Sequence, residues 1–296
     1  MFYILIFLFG LCIGSFLNVL IERLPHEESI RGRSRCPKCN HDLSWRDLIP
    51  IFSFLILGGK CRYCGKKISF QYPIIEAITG LLFLLIVYEN KVIFSTVYHF
   101  IDGHPQSGSL LFALYLFSIT ACLIVIFVSD FKYFIIPNQI IYALILITVA
   151  WILSINYFGL QNLFLCHSHE SKNLINIINS GSRIECEMIS WLNLLLSSII
   201  AGGFFLSMIL VSKGTWMGIG DAKMAFWMGL FLGWPKVFVA LFLAFMAGGI
   251  IGIILILTGK KNLKSPIPFG TFLALATFVV MVFGERLLEL AKWLNF

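Results

Sequence analysis

The chain has 296 residues, of which 59% are apolar and only 12% are charged. Soluble domains carry roughly 25% charged residues, so this composition excludes an ordinary soluble domain and indicates an integral membrane protein in contact with lipid. The formal net charge of +7 is weak support for nucleic-acid binding, and we expect no nucleic-acid partner.

Long apolar stretches predict an all-α, polytopic fold with about eight transmembrane helices. A spanning helix needs about 20 apolar residues, and the second, sixth and eighth stretches are short by that measure. The first stretch has no basic segment before it and no small-residue cleavage site after it, so we interpret it as a retained helix. The predicted spans are 1–22, 73–89, 109–129, 138–158, 190–212, 221–235, 237–257 and 269–284.

The distribution of Lys and Arg orients these spans, because cytosolic loops of membrane proteins are enriched in both residues. With the N-terminus outside, most of the 22 Lys and Arg residues fall in loops that face the cytosol. These loops are 23–72, 129–137, 213–223 and 258–268. The expected organisation is a first helix over 1–22, a cytosolic insert over 23–72, and a seven-helix membrane catalytic core over 73–296.

The predicted insert contains two Cys-x-x-Cys pairs, "CPKC" and "CRYC". Each pair offers two thiolates from one tight turn, and four thiolates complete the tetrahedral shell of a structural zinc ion. Zinc binding would stabilise an insert that has few apolar residues, as in a zinc ribbon. Disulfides are the alternative, but a cytosolic location disfavours them. The predicted zinc ligands are Cys36, Cys39, Cys61 and Cys64.

Two aspartates from distant parts of the chain are predicted to lie at the same cytosolic edge of the bundle. Asp130 ends the third span, and Asp221 begins the sixth directly after Gly218 and Gly220. Two carboxylates close together in a low-dielectric site share a proton, so one can activate water while the other protonates a scissile carbonyl. The pair therefore favours aspartic-protease chemistry. Taken singly, either aspartate could instead cap a helix end or contact lipid headgroups.

Six motifs, in order along nearly the whole chain, resemble the type IV prepilin peptidases, the leader peptidases of type IV pili and type II secretion. No single one of these motifs is specific to the family, but their order along a chain with eight predicted spans is highly specific. They are "GSFLNVLIERLP" at 14–25, "CPKC" at 36–39 followed by "LSWRDLIPIFSFLILGGKCRYCG" at 43–65, "YPIIE" at 72–76, "SDFKYFIIPN" at 129–138, "GIGDAK" at 218–223 and "PFGTFLALA" at 268–276.

The resemblance implies an intramembrane aspartic protease of the G-x-G-D class in the bacterial inner membrane, with its active site facing the cytosol. It implies cleavage of type IV prepilin or pseudopilin precursors after a glycine. It also implies methyl transfer from S-adenosylmethionine to the new N-terminal residue. On this chain the resemblance makes Asp130 and Asp221 the catalytic aspartates. The four cysteines of the insert correspond to the family's cysteine tetrad.

Glu22 and Glu76 are the candidates for lining a groove that holds the methyl donor or the substrate's N-terminal region. Both are expected near the cytosolic ends of the first two spans, and Gly14, Asn18 and Glu22 share one helix face. Contacts between helices through small and polar residues are the alternative role. No dinucleotide-type glycine motif follows a strand here, so the residues alone say little about methyl transfer.

Three positions depart from the family's usual pattern. Thr271 stands where proline is common, Asn138 where aspartate is common, and Glu22 where an aromatic residue is frequent. These departures bear on peptide preference and methyl transfer, not on the two aspartates.

Two other functions are compatible with the same residues. A G-x-G-D protease could act on other substrates, such as remnant signal peptides, although the insert and the "YPIIE" context argue against it. An ion-coupled transporter could use Asp130 and Asp221 in a proton path.

The four remaining cysteines fall into two predicted groups. Cys166 and Cys186 lie in a loop placed outside, where the oxidising compartment makes a disulfide between them a prediction to test. Cys12 and Cys122 lie within spans and are expected to remain free, small apolar residues.

Overall fold

The protein is described here from a computed structural model that covers residues 2–30, 32–89, 107–157, 191–215, 217–259 and 267–293. Within these ranges the chain is helical, apart from turns, short 3₁₀ segments and two isolated β-bridges, which confirms the predicted all-α class. The α-helices are α1 (Phe2–Arg23), α2 (Phe52–Ile56), α3 (Gln71–Glu89), α4 (Ser107–Tyr133), α5 (Asn138–Tyr157), α6 (Trp191–Ser212), α7 (Ile219–Leu232), α8 (Lys236–Leu257) and α9 (Phe269–Trp293).

Eight of these helices, all except the short α2, correspond in order to the eight predicted spans. Six of them are long and apolar enough to cross a membrane, namely α1, α3, α4, α6, α8 and α9. The apolar part of α5 is shorter, and α7 has only 14 residues. The predicted disulfide between Cys166 and Cys186 lies outside the described residues, whereas Cys12 and Cys122 are free as expected.

Helices α1 and α3 pack with their backbones in contact because small residues face each other. A Cβ added at Gly10 would lie 2.6 Å from the Cα of Gly80, and one added at Gly14 would lie 2.7 Å from the Cα of Glu76. Small residues four apart permit such an approach in a membrane, where van der Waals packing replaces the hydrophobic effect between helices. The pair therefore brings the end of α1 directly against the beginning of α3.

The insert over 24–70 projects from this end of the bundle, which we call the insert end. Helices α1, α4, α6 and α8 finish there, and α3, α5, α7 and α9 begin there. At the opposite end, the side chain of Asn193 pins the turn between α7 and α8 to α6, accepting from the N–H of Trp234 at 3.0 Å and donating to its carbonyl at 3.3 Å.

Helix α7 is short and is attached to α6 at the far end of the bundle. Its first residue therefore lies farther from the insert end than the last residue of α6 does. Antiparallel packing is close along the pair, since a Cβ at Gly229 would overlap the backbone of Ser198. At a rise of 1.5 Å per residue, Ser212 at the end of α6 extends about 9 Å farther toward the insert end than Asp221. Asp221 is therefore recessed in the bundle, and this refines the expectation that it lies at the edge.

Candidate active site and cysteine cluster

The two Cys-x-x-Cys loops fold in the same way, with equivalent residues 25 positions apart. Cys36 N–H donates to the His41 carbonyl at 3.0 Å, and Cys61 N–H donates to the Lys66 carbonyl at 2.9 Å. The backbone is left-handed at the residue after each pair, with φ of 55° at Asn40 and 68° at Gly65. Residues with short or absent side chains tolerate this conformation, so these two loops form matched knuckles.

The matched knuckles bring all four predicted zinc ligands together. Their sulfur atoms lie within 4.8 Å of one another, and sulfurs at about 2.3 Å from a tetrahedral zinc ion are about 3.8 Å apart. The donor set therefore fits a structural zinc ion with little adjustment. Four thiolates leave no coordination position for water, so such an ion would organise the insert and take no part in catalysis.

Asp47, which no sequence motif predicted as a functional residue, joins the second knuckle to the segment that follows the first knuckle. Its carboxylate accepts from Arg62 at 2.8 Å, from the Ser44 hydroxyl at 2.8 Å and from the Tyr63 hydroxyl at 3.2 Å. Burial alone would raise the pKa of Asp47, but these hydrogen bonds outweigh it and hold the pKa below its usual range. No local pattern in the sequence marks the contacts with the second knuckle, since Arg62 and Tyr63 are 15 and 16 residues away.

Asp130 lies near the end of α4 and is held by the first turn of α9. Its Oδ2 accepts from the N–H of Thr271 at 2.8 Å and from the hydroxyl of the same residue at 3.0 Å. The N–H of Gly270 also contacts this carboxylate. N–H groups in the first turn of a helix have no partner within the helix, so a carboxylate from another helix can accept from them.

Asp221 is the third residue of α7 and accepts from the N–H of Gly218 at 3.2 Å. It is 9% exposed and Asp130 is 5% exposed, so both carboxyls are withdrawn from the surface. The Asp130 carboxyl lies within electrostatic range of the Asp221 carboxyl. The structure therefore brings the two sequence-predicted aspartates together from α4 and α7, with α9 as their support.

Ile136 lies between the helix starts that carry Asp221 and hold Asp130, and in the sequence it stands out only as part of the motif "SDFKYFIIPN". It lies in the turn between α4 and α5. A Cβ added at Gly220 would lie 3.1 Å from the Cβ of Ile136, and one added at Gly270 would lie 2.6 Å from its Cδ1. The two glycines thus let the first turns of α7 and α9 approach the same isoleucine side chain. This side chain sets the distance between the start of α7, which carries Asp221, and the start of α9, which holds Asp130.

Lys223, two residues after Asp221, belongs to a different face of α7. Its Nζ donates to Asn138 Oδ1 at 2.8 Å and lies 5.7 Å from the ring centre of Tyr142. Residues two apart on a helix do not face each other. Lys223 is accordingly directed to α5 and forms no ion pair with Asp221 among the described contacts.

Glu22 and Glu76 lie at the insert end of the α1–α3 pair but have different partners. Glu76 is buried, and its Oε2 accepts from the N–H of Ile51 at 2.8 Å. Glu22 is partly exposed, contacts the hydroxyl of Tyr72, and lies 3.9 Å from Nζ of Lys132. Glu76 thus connects the membrane helices to the insert, while Glu22 faces α4.

Two family models match the chain. Residues 8–90 match the bacterial peptidase A24 N-terminal domain, and residues 174–253 match the type IV leader peptidase family. The first match covers most of α1, the insert and α3, and the second includes Asp221.

The chain is also similar to several curated prepilin leader peptidase/N-methyltransferases. It is 29% identical to that of Bacillus subtilis over 96% of both chains. It is 28% identical to that of Aeromonas salmonicida over 99% of this chain and 94% of the relative. A local match to the Myxococcus xanthus protein is 54% identical over 84 residues, 28% of this chain and 25% of the relative. No solved structure matches the chain.

Proposed function

Because the chain belongs to the type IV leader peptidase family, we propose that it cleaves the leader peptide of type IV prepilin-like precursors and N-methylates the new N-terminal residue. The observation that carries the cleavage activity is the approach of two buried aspartates, Asp130 and Asp221, beside the recessed start of α7. The sequence relationship to full-length N-methyltransferases supports the second activity.

We assign peptide-bond cleavage to Asp130 and Asp221. One carboxylate takes a proton from a water molecule, whose oxygen attacks the scissile carbonyl carbon, and the other carboxyl protonates the carbonyl oxygen. When the tetrahedral intermediate collapses, the carbon–nitrogen bond breaks and the departing nitrogen takes up a proton. That nitrogen becomes the new N-terminus, which is the acceptor for methylation.

The recessed position of the two aspartates suits a precursor with an apolar segment beside its cleavage site. The last turns of α6 extend past Asp221, and Leu210 and Val211 expose apolar side chains on this extension. Reduced access of bulk water strengthens the electrostatic interactions that stabilise charge in the transition state. An apolar segment of the substrate can pack against these side chains while its cleavage site reaches the carboxyls.

The methyl donor is proposed to be S-adenosylmethionine, with Glu22 and Glu76 lining the groove for it or for the new N-terminus. The donor supplies an electrophilic methyl group when bound. Glu22 offers a partly exposed carboxylate at the insert end, and Glu76 holds the backbone of Ile51. These contacts support direct binding by Glu22 and positioning of the groove wall by Glu76.

We propose that Cys36, Cys39, Cys61 and Cys64 bind one structural zinc ion and that the insert end faces the cytosol of a bacterium from its inner membrane. The concentration of Lys and Arg in the loops at this end supports the orientation. The proposed organisation is a first helix over 1–22, the zinc-binding insert over 23–72 and the catalytic membrane core over 73–296.

Purified protein and a prepilin-type peptide, with and without S-adenosylmethionine, test both activities by mass spectrometry. Wild-type protein should release the leader in both reactions and add a methyl group only when the donor is present. Asp130→Asn and Asp221→Asn should each abolish leader release, whereas Glu285→Gln, which changes an exposed carboxylate at the far end, should not. Substantial cleavage by either aspartate variant would refute the assignment.

A further inference from the structure

Asn18 has a buried side-chain oxygen without a hydrogen-bond partner among the described residues. The residue is 2% exposed, and its Nδ2 donates to the carbonyls of Gly14 and Tyr72, each at 3.2 Å. Two carbonyl acceptors determine which end of the amide carries the nitrogen, so the remaining atom is the oxygen Oδ1. This oxygen has no partner, although buried polar groups in proteins are nearly always paired.

Gln71, the neighbour of Tyr72 at the start of α3, has the complementary deficit. Its Nε2 is a buried donor without a partner among the described residues. An unpaired acceptor and an unpaired donor therefore occur at one junction, where the end of α1 meets the beginning of α3. Leaving a buried polar group unpaired is destabilising, and a ligand with both kinds of group would relieve both deficits.

Glu22 and Lys132 place opposite charges at the same junction. Their closest atoms are 3.9 Å apart, which is longer than the 2.7–2.9 Å typical of a charge-assisted hydrogen bond. Both side chains are partly exposed, so each can contact another group. Tyr72 connects this pair to Asn18, because its carbonyl accepts from Asn18 and its hydroxyl contacts Glu22.

From these contacts we infer that Asn18, Glu22, Gln71 and Lys132 form a binding site for the α-amino-acid end of the methyl donor. The ammonium group of an amino acid is a donor that suits Asn18 Oδ1 and the Glu22 carboxylate. Its carboxylate is an acceptor that suits Gln71 Nε2 and Lys132 Nζ. We call these four residues the zwitterion site. The inference rests on the proposed methyl-transfer activity and specifies which part of S-adenosylmethionine the site recognises.

A newly cut peptide N-terminus fits the zwitterion site less well. It carries an ammonium group but no adjacent carboxylate, so Gln71 and Lys132 would have no counterpart in it. The amino-acid end of S-adenosylmethionine has both groups on one carbon atom. The two unpaired atoms together therefore favour the methyl donor over the peptide as the occupant.

Binding of two nucleosides tests the site without measuring methyl transfer. S-adenosylhomocysteine carries the amino-acid end, whereas 5′-methylthioadenosine lacks it. Isothermal titration of the full chain in detergent should show that wild-type protein binds the first at least about tenfold more tightly. Gln71→Met should reduce this preference several-fold and leave the affinity for 5′-methylthioadenosine unchanged. Gln139→Met, an exposed position at the same end of the bundle, is the matched control and should keep the full preference.

Asn18→Leu should also reduce the preference, but it removes a hydrogen bond to Gly14 within α1 and one to Tyr72 of α3 as well. Gln71→Met is the cleaner variant, because Nε2 of Gln71 has no partner to lose within the described part of the chain. An unchanged preference in both variants would overturn the zwitterion site, and if the wild type methylates peptide in the same preparation, the proposed function would stand. A wild type that binds neither nucleoside and does not methylate would refute the methyl-transfer activity itself. A raised peptide KM in Gln71→Met with unchanged nucleoside binding would assign the site to the peptide and refute the inference.

Discussion

Thr271 donates two hydrogen bonds to one oxygen of Asp130, from its backbone N–H at 2.8 Å and from its hydroxyl at 3.0 Å. Family members commonly have proline at this position, and proline has neither donor. In this chain, threonine therefore fixes the orientation of the Asp130 carboxyl more fully than proline could. The departure from the family pattern therefore contacts one of the two predicted catalytic aspartates, and the expectation that it does not bear on them was wrong.

We expect Thr271→Val to lower the cleavage kcat by about 10- to 150-fold, because one hydrogen bond to a charged group contributes about 1.5–3 kcal/mol. Thr271→Pro should lower it further, since proline is tolerated in the first turn of a helix but removes both donors. Thr271→Ser keeps both donors and is the control. Steady-state cleavage of a prepilin-type peptide measures the effect, and equal rates for serine and valine variants would mean that the hydroxyl contact does not orient Asp130.

Gly270→Ala should inactivate cleavage without unfolding the protein. The added Cβ would lie 2.6 Å from Cδ1 of Ile136 and 3.1 Å from Oδ2 of Asp130, so α9 must shift away from the carboxyl it holds. Ile136→Val removes the crowded Cδ1 atom and should restore part of the activity when combined with Gly270→Ala. Cleavage rates for both single variants and the double variant check this, and strictly additive losses would contradict the role of Ile136 as a spacer.

Gly14→Ala should destabilise the α1–α3 pair by about 1–3 kcal/mol, the usual cost of overpacking a close contact. The added carbon would lie 2.7 Å from the Cα of Glu76. Gly249→Ala in α8 is the matched control, because no atom of the residues that the structure describes lies within 4 Å of a Cβ at that position. Thermal unfolding in one detergent should show a lower midpoint only for Gly14→Ala. A similar decrease in both variants would mean that the effect comes from replacing a helical glycine and not from the contact between α1 and α3.

Replacing any one of the four cysteines proposed to bind zinc by serine should remove the metal and loosen the insert. Metal analysis should give one zinc ion per wild-type chain and none for Cys36→Ser or Cys61→Ser, with faster proteolysis within 24–70. Cys12→Ser, which changes a free cysteine in α1, should retain the metal and resist proteolysis as the wild type does. Full zinc content in a Cys36→Ser variant would exclude the four-thiolate site.

Glu76→Gln should preserve the attachment of the insert, whereas Glu76→Leu should weaken it. A glutamine oxygen can still accept from the N–H of Ile51, which Glu76 does now at 2.8 Å, but leucine leaves that buried N–H unpaired at a cost of about 1–3 kcal/mol. Hydrogen exchange at residues 48–57 reports the attachment. Equal exchange in the two variants would show that the contact is not needed to hold the insert.

The sequence by itself determined the features that depend on neighbouring residues. The length of each apolar stretch predicted eight membrane helices, because a helix that crosses lipid must satisfy all its backbone hydrogen bonds within its own segment. The two-residue spacing within each cysteine pair predicted the knuckles, because a tight turn depends only on neighbouring residues. Six ordered motifs identified the family, which the family models and full-length relatives confirm.

Only the tertiary structure decided which groups complete the site. Asp130 and Thr271 are 141 residues apart, and no local pattern relates a carboxylate in α4 to the first turn of α9. The recess of Asp221 follows from the difference in length between α6 and α7 and from the Asn193 contact at their far end. The role of Glu76 depends on the backbone of Ile51 in the insert. Such contacts depend on the distances between packed helices, and these distances depend on the side-chain volumes of many residues together.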